Sequence, residues 1–125
     1  MIHHKKLLQS FGYAWEGIVY ALKYNQNLRI HFLVAILVTL LSVYFDINPF
    51  EMGILGITIL LVIATEMLNT SIEQMVDLIT IEHRKEAKIA KDVAAGMVLL
   101  TAVGSVIVGI LIFVPHIFRL IHFSH

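Results

Sequence analysis

Glu66, Asn69, Glu73 and Asp77 fall within one unbroken stretch, Glu66-Met67-Leu68-Asn69-Thr70-Ser71-Ile72-Glu73-Gln74-Met75-Val76-Asp77. At about 100° per helical residue the three carboxylates nearly overlay in projection, and Asn69 stands within about 60° of Glu66. The turns between them carry Met67, Leu68, Ile72, Met75 and Val76. Upstream, Met52 to Thr65 is apolar and runs into this stretch without a breaker. A carboxylate at membrane depth costs at least about 2.5–3.5 kcal/mol on insertion scales and is normally kept for function. Out of water a carboxylate is also a stronger base than at a surface, which suits proton abstraction by Glu66. Glu73, seven residues on, is placed to hold a divalent cation, since Mg²⁺ typically uses one or two carboxylates together with nucleotide phosphates. Lys91 and Asp92 stand at the same membrane level, and Lys91 is a candidate phosphate clamp, helped by the positive end of its helix. A base in lipid, a metal carboxylate at the surface and a lysine for phosphate point to phosphoryl transfer from a soluble nucleotide to a lipid hydroxyl.

Blander roles compete with each of these. Glu73 and Asp77 could be solvated charges at a helix end, and Lys91 a snorkelling anchor. A small proton-coupled transporter would also keep one membrane glutamate, but near the midplane. A membrane scaffold or holin-like protein would leave the acidic face without a use. No GxxxxGK[ST] phosphate loop and no kinase glycine-rich loop occurs, so a nucleotide must be held in some other way. His3, His4, His83, His116, His122 and His125 show no ligand spacing and are expected as surface groups.

The elements that must position these residues are membrane helices. The chain has 125 residues, 58% hydrophobic and only 14% charged, with a mean hydropathy of +0.85; soluble domains carry about 25% charged residues. There is no cysteine, hence no disulfide or thiolate metal site. Nine basic and nine acidic residues cancel, which argues against nucleic-acid binding. One domain over 1–125 is expected, all-α: an amphipathic surface helix over 5–24 and transmembrane helices over 29–45, 51–79 and 91–118. Leu7, Leu8, Phe11, Trp15, Ile18, Val19 and Leu22 make the apolar stripe of the first, which should lie in the membrane plane. The opening residues lack the apolar core of a cleavable signal and are expected to be retained. Asn25 to Asn27 form a polar break, with Arg29 and His31 expected at the membrane interface. Asp46-Ile47-Asn48-Pro49 is a turn. Thr80 to Lys91 is a charged connector, and Pro115 is expected to break the last helix. Gly96, Gly104, Ser105 and Gly109 suit a packing seam.

Lys5, Lys6, Lys23, Arg29, Arg84, Lys85, Lys88 and Lys91 belong to the N-terminal part and the connector, with only Arg119 at the opposite end. This asymmetry places the N-terminus and the 80–91 connector in the cytoplasm and the C-terminus outside, in the cytoplasmic membrane. Glu66, about 22 Å along the helix from Glu51, then lies within the cytoplasmic leaflet.

The acidic stretch, Glu66-x-Leu68-Asn69-Thr70-Ser71-Ile72-Glu73-x-x-Val76-Asp77, resembles the signature of the prokaryotic diacylglycerol kinase/undecaprenol kinase family. Ala90-Lys91-Asp92-Val93-Ala94-Ala95-Gly96 is similar to its second block, and Gly12-Tyr13-Ala14-Trp15 and Asn27-Leu28-Arg29-Ile30-His31 to its N-terminal part. Arg29-Ile30-His31 and Ala94-Ala95-Gly96 look like the Gram-positive branch, which phosphorylates undecaprenol; diacylglycerol is the second candidate. The resemblance implies a homotrimer with composite sites, Mg²⁺ and ATP. Glu66 would be the general base on the lipid substrate, and Asn69 would hold that region. Glu73 would bind Mg²⁺ and ATP, and Tyr13, Asp77, Glu82, Lys91 and Asp92 would line the ATP site. Trp15 would contact the incoming lipid. Asn25 stands where the family has a second metal-binding glutamate; it can ligate Mg²⁺ but brings no charge, so Gln26 or a carboxylate elsewhere would have to compensate. Lys6 replaces an arginine, keeping the charge and losing the planar fork.

Overall fold

The computed structural model describes residues 4–123; His3 and His125, expected as surface groups, lie outside them. The described residues form four helices: α1 (His4–Tyr24), α2 (Gln26–Tyr44), α3 (Pro49–Ile79) and α4 (Lys85–Phe123). The last three are long and apolar enough to cross a membrane. The protein is an all-α membrane protein.

The joints follow from local chemistry. The Asn25 backbone N–H donates to the Ala21 carbonyl at 2.8 Å and closes α1. Asn25 is extended, with φ −105° and ψ 108°, and its side-chain oxygen accepts the Leu28 N–H at 3.1 Å. That is the geometry of a helix N-cap, so the polar break narrows to Asn25 alone and α2 begins at Gln26. At the other end of α2, Asp46 adopts a φ of 51°, a left-handed conformation that aspartate tolerates better than most residues. Asn48 caps α3 by accepting the Glu51 N–H at 2.9 Å, with Pro49 in the first turn. Ile47, between these two, is buried as a plug.

α3 has 31 residues, about 46 Å of rise, against a hydrocarbon core about 30 Å thick. Its last turns therefore project beyond the lipid and carry the acidic face to the surface. α4 departs from the expected bounds at both ends. It begins at Lys85, so the connector shrinks to Thr80–Arg84. It also continues through Pro115 to Phe123. Proline removes one N–H from the ladder; where no water competes for the backbone, the flanking bonds hold the helix together.

α3 and α4 pack along their length, and α2 packs on α3. Thr65 and Thr101 meet through their hydroxyls at 2.9 Å within this contact. A small core of Ile47, Leu55 and Ile112, flanked by Val38, Phe45, Met52, Val108 and Phe113, sits near the Pro49 turn. Leu60, Leu100 and Leu111 are exposed, as are most large apolar side chains, as lipid-facing helices require. Gly96, Gly104 and Gly109 meet no atom within 4 Å where a Cβ would stand. The expected small-residue seam is thus not used within one chain. α1 touches α2 and α3 sparingly, and Leu7, Leu8, Phe11, Trp15 and Val19 are exposed along it.

His116 is a second departure. It was expected at the surface, but its side chain is only 13% exposed and its Nε2 stands 3.7 Å from Glu51 Oε2. Its Nδ1 bonds the Ile112 carbonyl at 2.8 Å. The ring thus faces the start of α3, at a distance too long for a hydrogen bond; Glu51 Oε2 is buried without one. His4, His83 and His122 are exposed.

Candidate active site

Glu66 is 1% exposed and sits where α3 passes the start of α2. The Asn25 amide donates one hydrogen to Glu66 Oε2 at 3.0 Å and the other to Thr70 Oγ1 at 2.8 Å. The second carboxylate oxygen, Oε1, faces His31 Nε2 at 3.5 Å. A hydrogen bond to a charged group contributes about 1.5–3 kcal/mol, comparable to the insertion cost of the carboxylate. The same Asn25 side chain therefore caps α2 and satisfies Glu66. Thr70 returns its own hydroxyl hydrogen to the Glu66 carbonyl at 3.0 Å. Helical periodicity put Glu66 and Asn69 on one face; the structure turns that face inward, towards α2, and not towards lipid.

One turn further on, Asn69 Nδ2 donates to Glu73 Oε1 at 3.2 Å. Asn69 is 9% exposed, and its Oδ1 is buried without a hydrogen-bond partner. Asn25, Gln26, Asn69, Thr70 and Glu73 line one pocket of about 210 Å³ at the junction of α1, α2 and α3. Among the described residues no group of three or more His, Cys, Asp or Glu side chains could hold a metal. What the junction pocket offers is one carboxylate, an orphaned amide oxygen and further amides. That donor set fits a hard cation that completes its shell with phosphate oxygens and water. Asn25 has one oxygen lone pair already engaged by Leu28, so Glu73 and Asn69 are the stronger donors.

Asp77, Glu82, Lys91 and Asp92 come together in a second cavity, a cleft of about 620 Å³ between the end of α3 and the start of α4. Lys91 Nζ bonds Asp77 Oδ1 at 2.5 Å, and Lys88 Nζ bonds Asp92 Oδ2 at 2.5 Å. Both pairs are solvent-accessible, where ion pairs contribute little to stability. His83, Arg84, Lys85 and Lys88 also line the cleft, and sequence inspection had singled out none of them for nucleotide contact. Lys91 sits well inside α4, because that helix starts at Lys85. The helix dipole acts over the first turn, so its positive end favours anions near Lys85 and not at Lys91.

Tyr13 and Trp15 stand apart, 70% and 66% exposed on α1 and lining neither cavity. His31 and Thr70 were not anticipated. No spacing could have revealed the His31–Glu66 and Asn25–Thr70 contacts, because each joins residues from different parts of the chain.

A family model described as "Prokaryotic diacylglycerol kinase" matches residues 12–113. The chain is 41% identical to a diacylglycerol kinase of Synechocystis over 91% of its length, and spans 66% of that relative. It is 38% identical to the undecaprenol kinase of Bacillus subtilis over 88% of its length, spanning 89% of that protein. Against the diacylglycerol kinase of Escherichia coli the identity is 26%, over 82% of the chain and 84% of the relative. With a buried, hydrogen-bonded glutamate inside a membrane helix and a basic cleft at the end of that helix, the chain belongs to the prokaryotic diacylglycerol kinase family of membrane lipid kinases.

Proposed function

We propose that the protein phosphorylates the hydroxyl of a membrane lipid alcohol with ATP and Mg²⁺, and that undecaprenol is its main substrate. The observation that carries this is the placing of Glu66: enclosed within a membrane helix, yet on the same helix as the nucleotide-sized basic cleft. Eleven residues, or about 16 Å of rise, separate Glu66 from Asp77. A nucleotide lying along α3, with its base end at the connector, brings its terminal phosphate past Glu73 towards the level of Glu66. Glu66 supplies the basicity for the lipid hydroxyl, with Asn69 holding the region. Lys91 exchanges Asp77 for phosphate oxygens, and Asp77, Glu82 and Asp92 line the cleft around the nucleotide. Glu73, Asn69 and Asn25 would hold Mg²⁺, which supplies neutralisation of phosphate charge.

The likeness to the Bacillus undecaprenol kinase, over nearly all of both chains, supports the prenol. The Synechocystis relative favours diacylglycerol as the second reading. Tyr13 and Trp15, exposed in a single chain, fit sites completed by a neighbouring copy: Tyr13 towards ATP and Trp15 towards the lipid, in a homotrimer. The N-terminus and the 80–91 connector face the cytoplasm, where ATP is, and the C-terminus faces outwards, in the cytoplasmic membrane. The test is transfer of labelled γ-phosphate from ATP into undecaprenol and diacylglycerol, presented side by side in vesicles. Preferential labelling of the prenol supports the reading. Preferential labelling of diacylglycerol moves the assignment to the second substrate, and labelling of neither removes it.

A further inference from the structure

Both hydrogens of the Asn25 amide are spent, one on Glu66 Oε2 at 3.0 Å and one on Thr70 Oγ1 at 2.8 Å. The amide oxygen takes the Leu28 N–H at 3.1 Å. These partners fix which end of the amide is which. Turned over, the oxygen would face a carboxylate and the Leu28 N–H would face another donor. Thr70 is fixed in turn. Its hydroxyl hydrogen goes to the Glu66 carbonyl at 3.0 Å, which leaves a lone pair for Asn25. Asn25 and Thr70 thus close a ring of contacts on Glu66, from its main chain to its carboxylate. The ring is anchored at the joint of α1 and α2, where the Asn25 N–H bonds the Ala21 carbonyl at 2.8 Å.

The two oxygens of Glu66 differ as a result. Oε2 is held by the amide. Oε1 accepts no hydrogen bond among the described residues; His31 Nε2 stands 3.5 Å from it. A glutamate turns about several side-chain bonds, whereas a reacting group must stay within about 0.5 Å of its productive position. A clamp on one oxygen meets that need and leaves the other to react.

We propose that Asn25, backed by Thr70, is a positioning residue that holds Glu66 Oε2 and so presents Oε1 to the lipid hydroxyl. This rests on the kinase reading above. It gives the amide hydrogens a task separate from the Mg²⁺ contact of the amide oxygen. In the step so prepared, the O–H bond of the alcohol breaks and its proton passes to Oε1. The oxygen electron pair forms the bond to the γ-phosphorus of ATP. The bond from that phosphorus to the β,γ-bridging oxygen breaks, and ADP leaves with the electron pair. Glu66 then returns the proton to water.

The experiment follows labelled γ-phosphate at varied Mg²⁺, in vesicles containing undecaprenol and diacylglycerol. Asn25→Ser keeps a capping oxygen but is too short to reach Glu66. Asn25→Asp keeps the cap and is the better metal ligand, yet donates nothing. Misplacing a reacting group by ~1 Å costs up to about 100-fold, so both variants are expected to lose at least about tenfold in kcat. Their Mg²⁺ concentration for half-maximal rate should stay within about twofold of wild type, since Glu73 and Asn69 remain. Thr70→Val, which removes the acceptor, should lose at least about fivefold, and Thr70→Ser, which restores it, should stay within about twofold of wild type. Asn25→Asp with wild-type kcat overturns the proposal, as does Asn25→Ser altered only in its Mg²⁺ requirement. Should the Asn25 variants fail to assemble, the Thr70 pair decides, and equal rates for Thr70→Val and Thr70→Ser overturn it. Wild-type protein that labels neither lipid removes the kinase reading itself, and with it any base for Asn25 to hold.

Discussion

Asn25 and Glu66, 41 residues apart in the chain, are joined by a 3.0 Å hydrogen bond from amide to carboxylate. The same amide oxygen caps α2. One uncharged residue thus ends α1 through its backbone N–H, while its side chain starts α2 and holds the Glu66 carboxylate. Position 25 supplies an uncharged donor, and that donor is spent on the carboxylate oxygen of Glu66 itself.

Removing that donor should be costly. Asn25→Ala loses the cap, about 1 kcal/mol, and a hydrogen bond to a charged group, about 1.5–3 kcal/mol. The expected destabilisation is about 2–4 kcal/mol, read by thermal unfolding in detergent. Asn25→Asp separates the two contributions, because it keeps the capping oxygen and places a second carboxylate beside Glu66. It should be no more stable than Asn25→Ala. Wild-type stability in Asn25→Asp would show that the tie to Glu66 contributes nothing.

Glu73 is the one carboxylate of the junction pocket. Glu73→Ala should raise the Mg²⁺ and ATP concentrations needed for half-maximal rate by about tenfold or more, since the remaining donors are neutral amides. Unchanged metal titration curves would take Glu73 out of the site.

Lys91 and Asp77 make an accessible pair, so neither should matter much to stability. Lys91→Met is expected within about 0.5 kcal/mol of wild type, while its KM for ATP rises at least about tenfold. A large loss of stability with unaltered ATP dependence would mean that the pair holds α3 to α4 and does not serve the nucleotide.

The chain lacks cysteine, so single introduced thiols report topology cleanly. His83→Cys should react with a membrane-impermeant maleimide only when the cytoplasmic face is open to the reagent. Phe123→Cys should react in intact cells. The reverse pattern would invert the orientation drawn from the lysines and arginines.

The spans and the face carrying Glu66, Asn69, Glu73 and Asp77 were legible in the sequence because hydropathy and helical periodicity are local properties. Contacts across helices were not. His31 reads as an interfacial residue until α2 is laid on α3 and its ring meets Glu66. Asn25 reads only as a metal ligand without charge; the sequence does not show that its amide hydrogens also reach Glu66 and Thr70. His116 reads as a surface group because nothing in spacing reveals Glu51 opposite it. Pro115 misleads because the rule for helix breaking assumes that water will take the freed carbonyl. Lys91 was credited with a helix end that begins six residues earlier, since charged residues at the head of α4 look the same in sequence as a loop.

The most direct measurement of the central claim is γ-phosphate transfer to undecaprenol in vesicles by Glu66→Gln beside wild type, with the oligomer checked by native mass in detergent. Glutamine keeps the size of the side chain and removes the charge. The account predicts an intact homotrimer whose kcat falls by at least about 100-fold. An assembled Glu66→Gln enzyme turning over at the wild-type rate would contradict it.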